Sequence, residues 1–289
     1  MTLASYWRLP IDPERMMHVA VTHWRENAQQ EREDALSVEE PFEVRMNHRS
    51  LAVIMRTPGH DRELAMGFLY TERIITQPEE VLEIESENDV DGLPLANVVN
   101  IVLRHEAHEG NVPLQRSAAF ERHFAVSSSC GLCGKTSIAD LLSFMPTIDS
   151  TLDHVQFRTS TLYGLSDRLR SAQTVFTHTG GLHAAGLFSA TGELLLLRED
   201  VGRHNAVDKI IGHGLLHGGF PYSRNILMVS GRTSFEIIQK ALLARIPCIA
   251  AISAPSSLAV ELADRGGITL IGFLRDHSMN VYTHPGRVV

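Results

Sequence analysis

The sequence predicts an α/β protein built from two units, and three observations carry that prediction. From residue 174 onward, apolar runs of strand length alternate with helical runs across Gly-rich connections, which implies a mostly parallel or mixed sheet covered by helices. Between residues 38 and 105 the pattern is a hairpin, a helix and further strands, a smaller α+β unit. Between the two lies a short stretch of small residues that holds two cysteines. The expected boundaries are a mobile leader over 1–37, the α+β unit over 38–126, a mobile Cys-x-x-Cys loop over 127–135, and the larger α/β unit over 136–289.

In the leader, Pro10, Pro13 and the charged run 25–34 suggest a poorly packed terminus, with a short helix over 14–25. Phe42, Val44 and Met46 alternate with charged residues, a strand signal; 50–56 gives its hairpin partner across the turn Asn47-His48-Arg49. Leu64, Phe68 and Leu69 share a helical face over 63–71. Strands follow over 81–87 and 97–105. After the cysteine loop, Ile138, Leu141, Leu142 and Met145 mark a helix, and Leu162, Leu165 and Leu169 another over 157–169. Strands over 182–189 and 193–198 flank the turn Ala190-Thr191-Gly192. The remainder reads as a helix over 205–216, a strand over 225–229, a helix to about 245, a strand over 247–252, a helix over 256–264 and a strand over 268–273.

Composition narrows the function classes. The chain has 289 residues, 44% of them hydrophobic, and a formal net charge of −8 with no long basic run. That argues against duplex nucleic acid as a partner. No apolar run reaches membrane-span length, and residues 1–10 lack the order of a secretory signal. With three cysteines and no such signal, the expectation is a protein of the reducing cytoplasm, not a disulfide scaffold.

Cys130 and Cys133 sit in Ser127-Ser128-Ser129-Cys130-Gly131-Leu132-Cys133-Gly134-Lys135, just before a helical run. A helix N-terminus and a neighbouring lysine favour thiolates. Spacing alone leaves a redox dithiol, half of a zinc site, a persulfide carrier or an inert pair. The zinc readings lack ligands. The third cysteine, Cys248, lies inside a strand and reads as a small buried hydrophobe, and no H-x-E motif of the zinc deaminases occurs. His105-Glu106-Ala107-His108 falls one residue short of H-E-x-x-H and reads as a solvated loop. No metal is expected.

Three further segments suggest a binding crevice. Thr179-Gly180-Gly181-Leu182-His183 puts a double glycine before a strand, where His183 can donate to a phosphate or a thiolate partner. The run 198–209 is the densest polar cluster of the C-terminal half and spans a strand-to-helix junction. There Arg203, His204 and Lys209 offer contacts to an anionic group, with Asn205 as helix cap. Ser230-Gly231-Arg232-Thr233-Ser234 repeats that geometry, so Arg232 would belong to a second wall. Capped helices with surface ion pairs are the plain alternative. No Walker or G-x-G-x-x-G motif is present.

Taken together, Ser129-Cys130-Gly131-Leu132-Cys133-Gly134, residues 179–186, Glu199-Asp200-Val201-Gly202-Arg203-His204-Asn205-Ala206-Val207-Asp208-Lys209, Val281-Tyr282-Thr283-His284-Pro285 and Met55-Arg56-Thr57-Pro58-Gly59 resemble the FdhD family of formate dehydrogenase accessory sulfurtransferases. The resemblance runs from about residue 35 to the C-terminus. It implies a cytidine-deaminase-like three-layer α/β/α C-terminal domain with a mixed sheet, beside the α+β domain. It implies a cytoplasmic homodimer that takes sulfur from a cysteine desulfurase and serves the formate dehydrogenase catalytic subunit. The sulfur would pass as a cysteine persulfide to the molybdenum bis-guanine-dinucleotide cofactor, bound as substrate. Cys130 matches the family's persulfide cysteine and Cys133 its second loop cysteine. Phe273, Leu274, Arg275, Asp276, His277 and Ser278 match its cofactor-binding segment, although 276–278 is less basic than in other members. A non-catalytic cofactor-binding chaperone is the alternative.

Overall fold

The computed structural model describes residues 14–88, 94–104, 146–148 and 155–289. Its larger sheet has six strands: β7 (His183–Ser189), β8 (Leu194–Asp200), β9 (Asn225–Val229), β10 (Cys248–Ala251), β11 (Thr269–Arg275) and β12 (Ser278–Thr283). Their order across the sheet is β12-β11-β10-β9-β7-β8. β9, β10 and β11 are parallel; β7, β8 and β12 run antiparallel to their neighbours, so the sheet is mixed.

Period-2 alternation puts successive residues of each strand on opposite faces. Ala185 and Leu187 of β7, Leu227 and Val229 of β9 and Ile249 of β10 pack on one face. They meet α5 (Arg203–His217), α6 (Phe235–Leu243) and α7 (Ser257–Gly266). Ala184, Phe188, Ile226, Met228, Cys248 and Ala250 point the other way, onto α2 (Thr159–Tyr163) and α3 (Leu165–Ala172). Helices therefore cover both faces, and a central strand such as β10 is apolar throughout, as a doubly covered strand must be. The helix expected over 157–169 is broken into α2 and α3 at Gly164. α4 (Thr174–Thr179) precedes β7.

The smaller sheet has the order β4-β3-β6-β5. β3 (Glu40–Met46) and β4 (Arg49–Arg56) form the expected hairpin; β6 (Pro94–Leu103) lies parallel to β3 and antiparallel to β5 (Val81–Asn88). α1 (Asp61–Thr71) covers it with Leu64, Met66, Phe68 and Leu69 against Phe42, Val44, Ile54 and Ile101.

α1 and α5 join the two units. A methyl group on Gly67 would lie 1.9 Å from the Asp208 carbonyl oxygen, and one on Gly212 would lie 1.8 Å from that of Glu63. No side chain fits at either crossing point, so the two backbones touch.

The leader expectation needs correction. Residues 14–25 are not helical: β1 (Met16–Arg25) pairs with β2 (Ala28–Ser37) in an antiparallel hairpin that turns at Glu26, where φ is 55°. Three β-branched residues of four, Val19, Val21 and Thr22, prefer a pleated strand over a helix, a signal masked in the sequence by the charges that follow. The hairpin base is anchored. Met16 packs on Val175 and Leu182, and Arg15 donates to the Glu199 carbonyl at 3.1 Å. From residue 14 onward the described chain is thus a hairpin anchored to the large unit, before residue 38 is reached. Among the described residues no helix is long and apolar enough to cross a membrane.

Candidate functional site

The carboxyl ends of β9, β10 and β11 lie on one edge of the large sheet, and antiparallel β7 begins there, since Ala185 pairs with Val229 and His183 with Asp200. α5, α6 and α7 all start at this edge, with N-caps Gly202, Ser234 and Ser256. The first backbone N–H groups of a helix have no intrahelical acceptor and its N-terminus carries a partial positive charge, so the rim suits anions. At α7 one of these groups, the Ala259 N–H, is already taken by Ser256 Oγ at 3.2 Å. Ligands of open α/β sheets bind outside the carboxyl ends of the strands for the same reason.

Three of the expected site residues meet here. A methyl group on Gly231 would lie 3.2 Å from the His183 imidazole and 3.9 Å from Arg203 Cδ. His204 Nε2 stands 3.2 Å from Ser234 Oγ and 3.7 Å from Glu236 Oε2. Burial, then the Arg203 and Lys240 charges, hold His204 down at about 4. Burial and Arg203 also lower His183. Both imidazoles are neutral at physiological pH, each with one donor and one acceptor nitrogen. Arg203 supplies the cation. Its Nε is buried without a hydrogen-bond partner among the described residues, as is the hydroxyl of Thr233, a residue only 1% exposed. Arg232 is exposed in the same loop.

The segment 273–278 adjoins this rim: the Phe273 N–H donates to the Ser253 carbonyl, in the loop between β10 and α7, at 3.2 Å. Phe273 is exposed, and Asp276 and His277, both at positive φ, turn β11 into β12. Arg275 and Ser278 are exposed beside that turn, and His277 stacks edge-on with Tyr163 at 5.6 Å. Leu274 departs from its expected role. Its side chain is fully buried in the α2/α3 core, which leaves only its backbone for a ligand.

Two expectations in the polar run are overturned. Asn205 is not the cap; its Nδ2 donates to the Met55 carbonyl and to Asp200 Oδ1, both at 2.8 Å. Lys209 does not reach a phosphate site. It is fully buried, 2.6 Å from Asp200 Oδ2, and donates to the Thr57 carbonyl at 2.9 Å. Asp200 also accepts from the Thr57 N–H at 3.3 Å. One helical turn from Asn205, Asp208 holds Lys240 at 2.9 Å and Thr71 Oγ1 at 2.8 Å. The run therefore divides its work. Arg203 and His204 face the rim, while Asp200, Asn205, Asp208 and Lys209 clamp the α5 side to residues 55–57 and to α1. The sequence marked 230–234 as a second wall but singled out only Arg232 in it. Thr233 and Ser234 of that loop, Thr57 of the 55–59 motif and Glu236, which no motif covered, acquire their roles from the structure. For Ser234 the available signal was a small polar residue before a helical run.

A cavity of about 1040 Å³ lies elsewhere, in the smaller unit, lined by Arg56, Asp61, Glu63, Met66 and Leu215 among others. Arg56 in the cavity is held by Glu40, Asp61 and Asn97 at 2.8–3.0 Å. Unpartnered buried polar atoms occur at both places among the described residues, Arg56 Nε and Asp61 Oδ1 in the cavity and Arg203 Nε and the Thr233 hydroxyl at the rim. What distinguishes the rim is the three helix N-termini gathered at the carboxyl ends of the strands.

Of the three thiols, Cys248 is fully buried and pushed up to about 12 by that burial, so it is inert. Cys130, Cys133, the loop 127–135 and the helix expected after it lie outside the described residues.

The profile of the FdhD/NarQ family matches residues 37–289. A protein named sulfur carrier protein FdhD from Streptomyces avermitilis is 49% identical over 267 residues, covering 91% of this chain and 92% of its own length. One of the same name from Mycobacterium tuberculosis is 44% identical over 276 residues, covering 94% and 98%. Among solved structures, a candidate formate dehydrogenase accessory protein from Desulfotalea psychrophila superimposes with a TM-score of 0.71 at 24% identity, covering 95% of this chain and 99% of that one.

Proposed function

The chain belongs to the FdhD/NarQ family, and on that premise we propose that it is a sulfur carrier serving formate dehydrogenase. The observation that carries this reading is near-full-length similarity to proteins named sulfur carrier protein FdhD. Cys248 is sealed in the core, so the transfer chemistry falls to Cys130 and Cys133.

In the finer reading, the protein is a sulfurtransferase. The Cys130 thiolate attacks the terminal sulfur of a persulfide on a cysteine desulfurase. The new sulfur–sulfur bond forms on Cys130, the donor's sulfur–sulfur bond breaks, and the donor cysteine leaves as thiolate, with no net oxidation. The sulfur is destined for molybdenum bis-guanine-dinucleotide, the substrate. If Cys133 assists release, its thiolate attacks Cys130 Sγ, the Cys130–Cys133 disulfide forms and the outer sulfur leaves as sulfide. If Cys133 holds the sulfur in a second step, its thiolate takes the outer sulfur and Cys130 leaves as thiolate.

What supports a substrate with two pyrophosphates is the chemistry of the rim. Three helix N-termini and Arg203 favour phosphate oxygens, and the Thr233 hydroxyl adds a buried donor without a partner among the described residues. Neutral His183 and His204 add hydrogen bonds without further charge. Exposed Phe273 and the turn 276–277 would flank the same ligand. A cytoplasmic homodimer that docks both the desulfurase and the formate dehydrogenase catalytic subunit completes this proposal.

The test is activation of formate dehydrogenase in cells that lack the native protein. Cys130→Ala should abolish activation while the variant accumulates normally. Full activation by Cys130→Ala would replace sulfur transfer with the chaperone reading, in which the rim alone matters.

A further inference from the structure

A second group of chemistry-bearing side chains lies at the end of α5 remote from the rim. Glu63 of α1 meets His213 and His217 of α5 there. The histidines are four residues apart, hence on one helix face. Glu63 Oε1 is 2.9 Å from His213 Nδ1 and 3.9 Å from His217 Nε2, and the two rings are 4.6 Å apart. One ligand atom from each residue falls within 4.8 Å of the other two. In a tetrahedral zinc site with bonds near 2.1 Å, ligand atoms stand roughly 3.4 Å apart. Small rotations of the three side chains bring the triad to that spacing. We propose that Glu63, His213 and His217 bind a divalent transition metal ion of the zinc type, which ties α1 to α5.

The fold sets up this geometry. The backbone contact of Gly212 with Glu63 sets the helix separation at which Glu63 faces the histidines one residue and five residues further along α5. Glu63 is oriented by Arg198, whose Nε and Nη2 donate to its two oxygens at 2.6 and 2.7 Å. Metal-ligating carboxylates are commonly held by such a partner, and a carboxylate has about four lone-pair sites, so Oε1 can serve both. Arg198 Nη2 also lies 3.2 Å from His213 Nδ1, a contact an ion would displace. The guanidinium charge opposes the ion, which places this site among the weaker ones. His60 Nδ1, 3.7 Å from Glu63 Oε2, stands on the other side of the carboxylate. The side chain of His217 is 58% exposed, which gives an ion an entry path and water for its remaining positions. Two imidazoles and one carboxylate suit zinc, copper or nickel, not the oxygen-seeking magnesium or calcium. The expectation of no metal considered only the cysteines and residues 105–108; this triad is assembled from two helices and has no sequence motif.

The experiment is calorimetric titration of the full chain with zinc chloride at neutral pH, after chelator treatment. It is run in a Cys130→Ser, Cys133→Ser background, so that the loop thiols do not compete. One ion per chain should bind, and zinc should raise the melting temperature. His217→Ala should weaken binding at least about tenfold and abolish the thermal shift. Because His217 is largely exposed, this variant should fold, as circular dichroism would verify. X-ray absorption fine structure at the zinc edge should show two imidazole ligands. Absence of binding, or binding unchanged in His217→Ala, would overturn the proposal and leave the triad as a hydrogen-bonded helix seam. Sulfur transfer by Cys130 is independent of either result.

Discussion

Gly212→Ala tests the helix crossing because two physical effects predict opposite signs. On intrinsic propensity alone, alanine should stabilise a helix interior by roughly 1 kcal/mol over glycine. In this structure the added methyl stands 1.8 Å from the Glu63 carbonyl oxygen and 2.9 Å from the Gly67 nitrogen, where ordinary contact begins at 3.4 Å. Both obstacles are backbone, so no side-chain rotation relieves them, and α1 must move off α5 by roughly 1.5 Å. Overpacking of this kind costs about 1–3 kcal/mol. The movement also stretches the Thr71–Asp208–Lys240 hydrogen bonds, now 2.8–2.9 Å, at about 1 kcal/mol each. After the propensity gain is set against these terms, the net loss is about 3 kcal/mol. At about 2–4 °C per kcal/mol, that lowers Tm by roughly 6 °C or more. The assays are urea denaturation and thermal melting. The control is Gly286→Ala, since nothing lies within 4 Å of a methyl there. A Gly212→Ala protein as stable as the parent, or more so, would refute the close-contact seam.

The rest of the structure supports three more predictions. Lys209→Met leaves Asp200 buried without its cation and should cost about 3–5 kcal/mol in urea denaturation, with Asp200→Asn in the same chain recovering part of it. His204 stays neutral in the folded protein down to about 4, whereas the unfolded chain takes up its proton near the ordinary 6.5. Stability should therefore fall as pH drops through that window, by at most about 3 kcal/mol from this group. His204→Gln should flatten the stability-against-pH curve there, and an unchanged slope would contradict the assignment. Cys248 should resist maleimide in the native protein and react only in denaturant; native labelling at Cys248 would remove the argument that leaves Cys130 and Cys133 as the working thiols.

Most of the large sheet was legible because its strands are short apolar runs between Gly-rich turns: 225–229 and 247–252 read as strands and are β9 and β10. β12 was missed, since an edge strand of Ser, Met, Asn, Val, Tyr and Thr with alternating exposure has little apolar signal. The leader failed for the opposite reason. Charges on an exposed hairpin resemble a disordered tail, and only tertiary contacts at Met16 and Arg15 reveal its anchorage. In the candidate site, Arg203 and His204 were placed correctly at a helix N-terminus, but Lys209 was not. Polar density in a sequence does not distinguish a ligand-facing lysine from one sealed against Asp200 and Thr57, because Thr57 lies 152 residues away in the chain and nothing local shows that Asp200, in the same run, is buried with it. The Glu63, His213 and His217 triad was invisible for the same reason, as its carboxylate comes from another helix.

The most direct test of the central claim is peptide-level mass spectrometry of the full chain after incubation with a cysteine desulfurase and L-cysteine. The account predicts one added sulfur atom on the peptide carrying Cys130, removable by a thiol reductant and absent in Cys130→Ala. No added sulfur on that peptide, or sulfur uptake undiminished in Cys130→Ala, would contradict it.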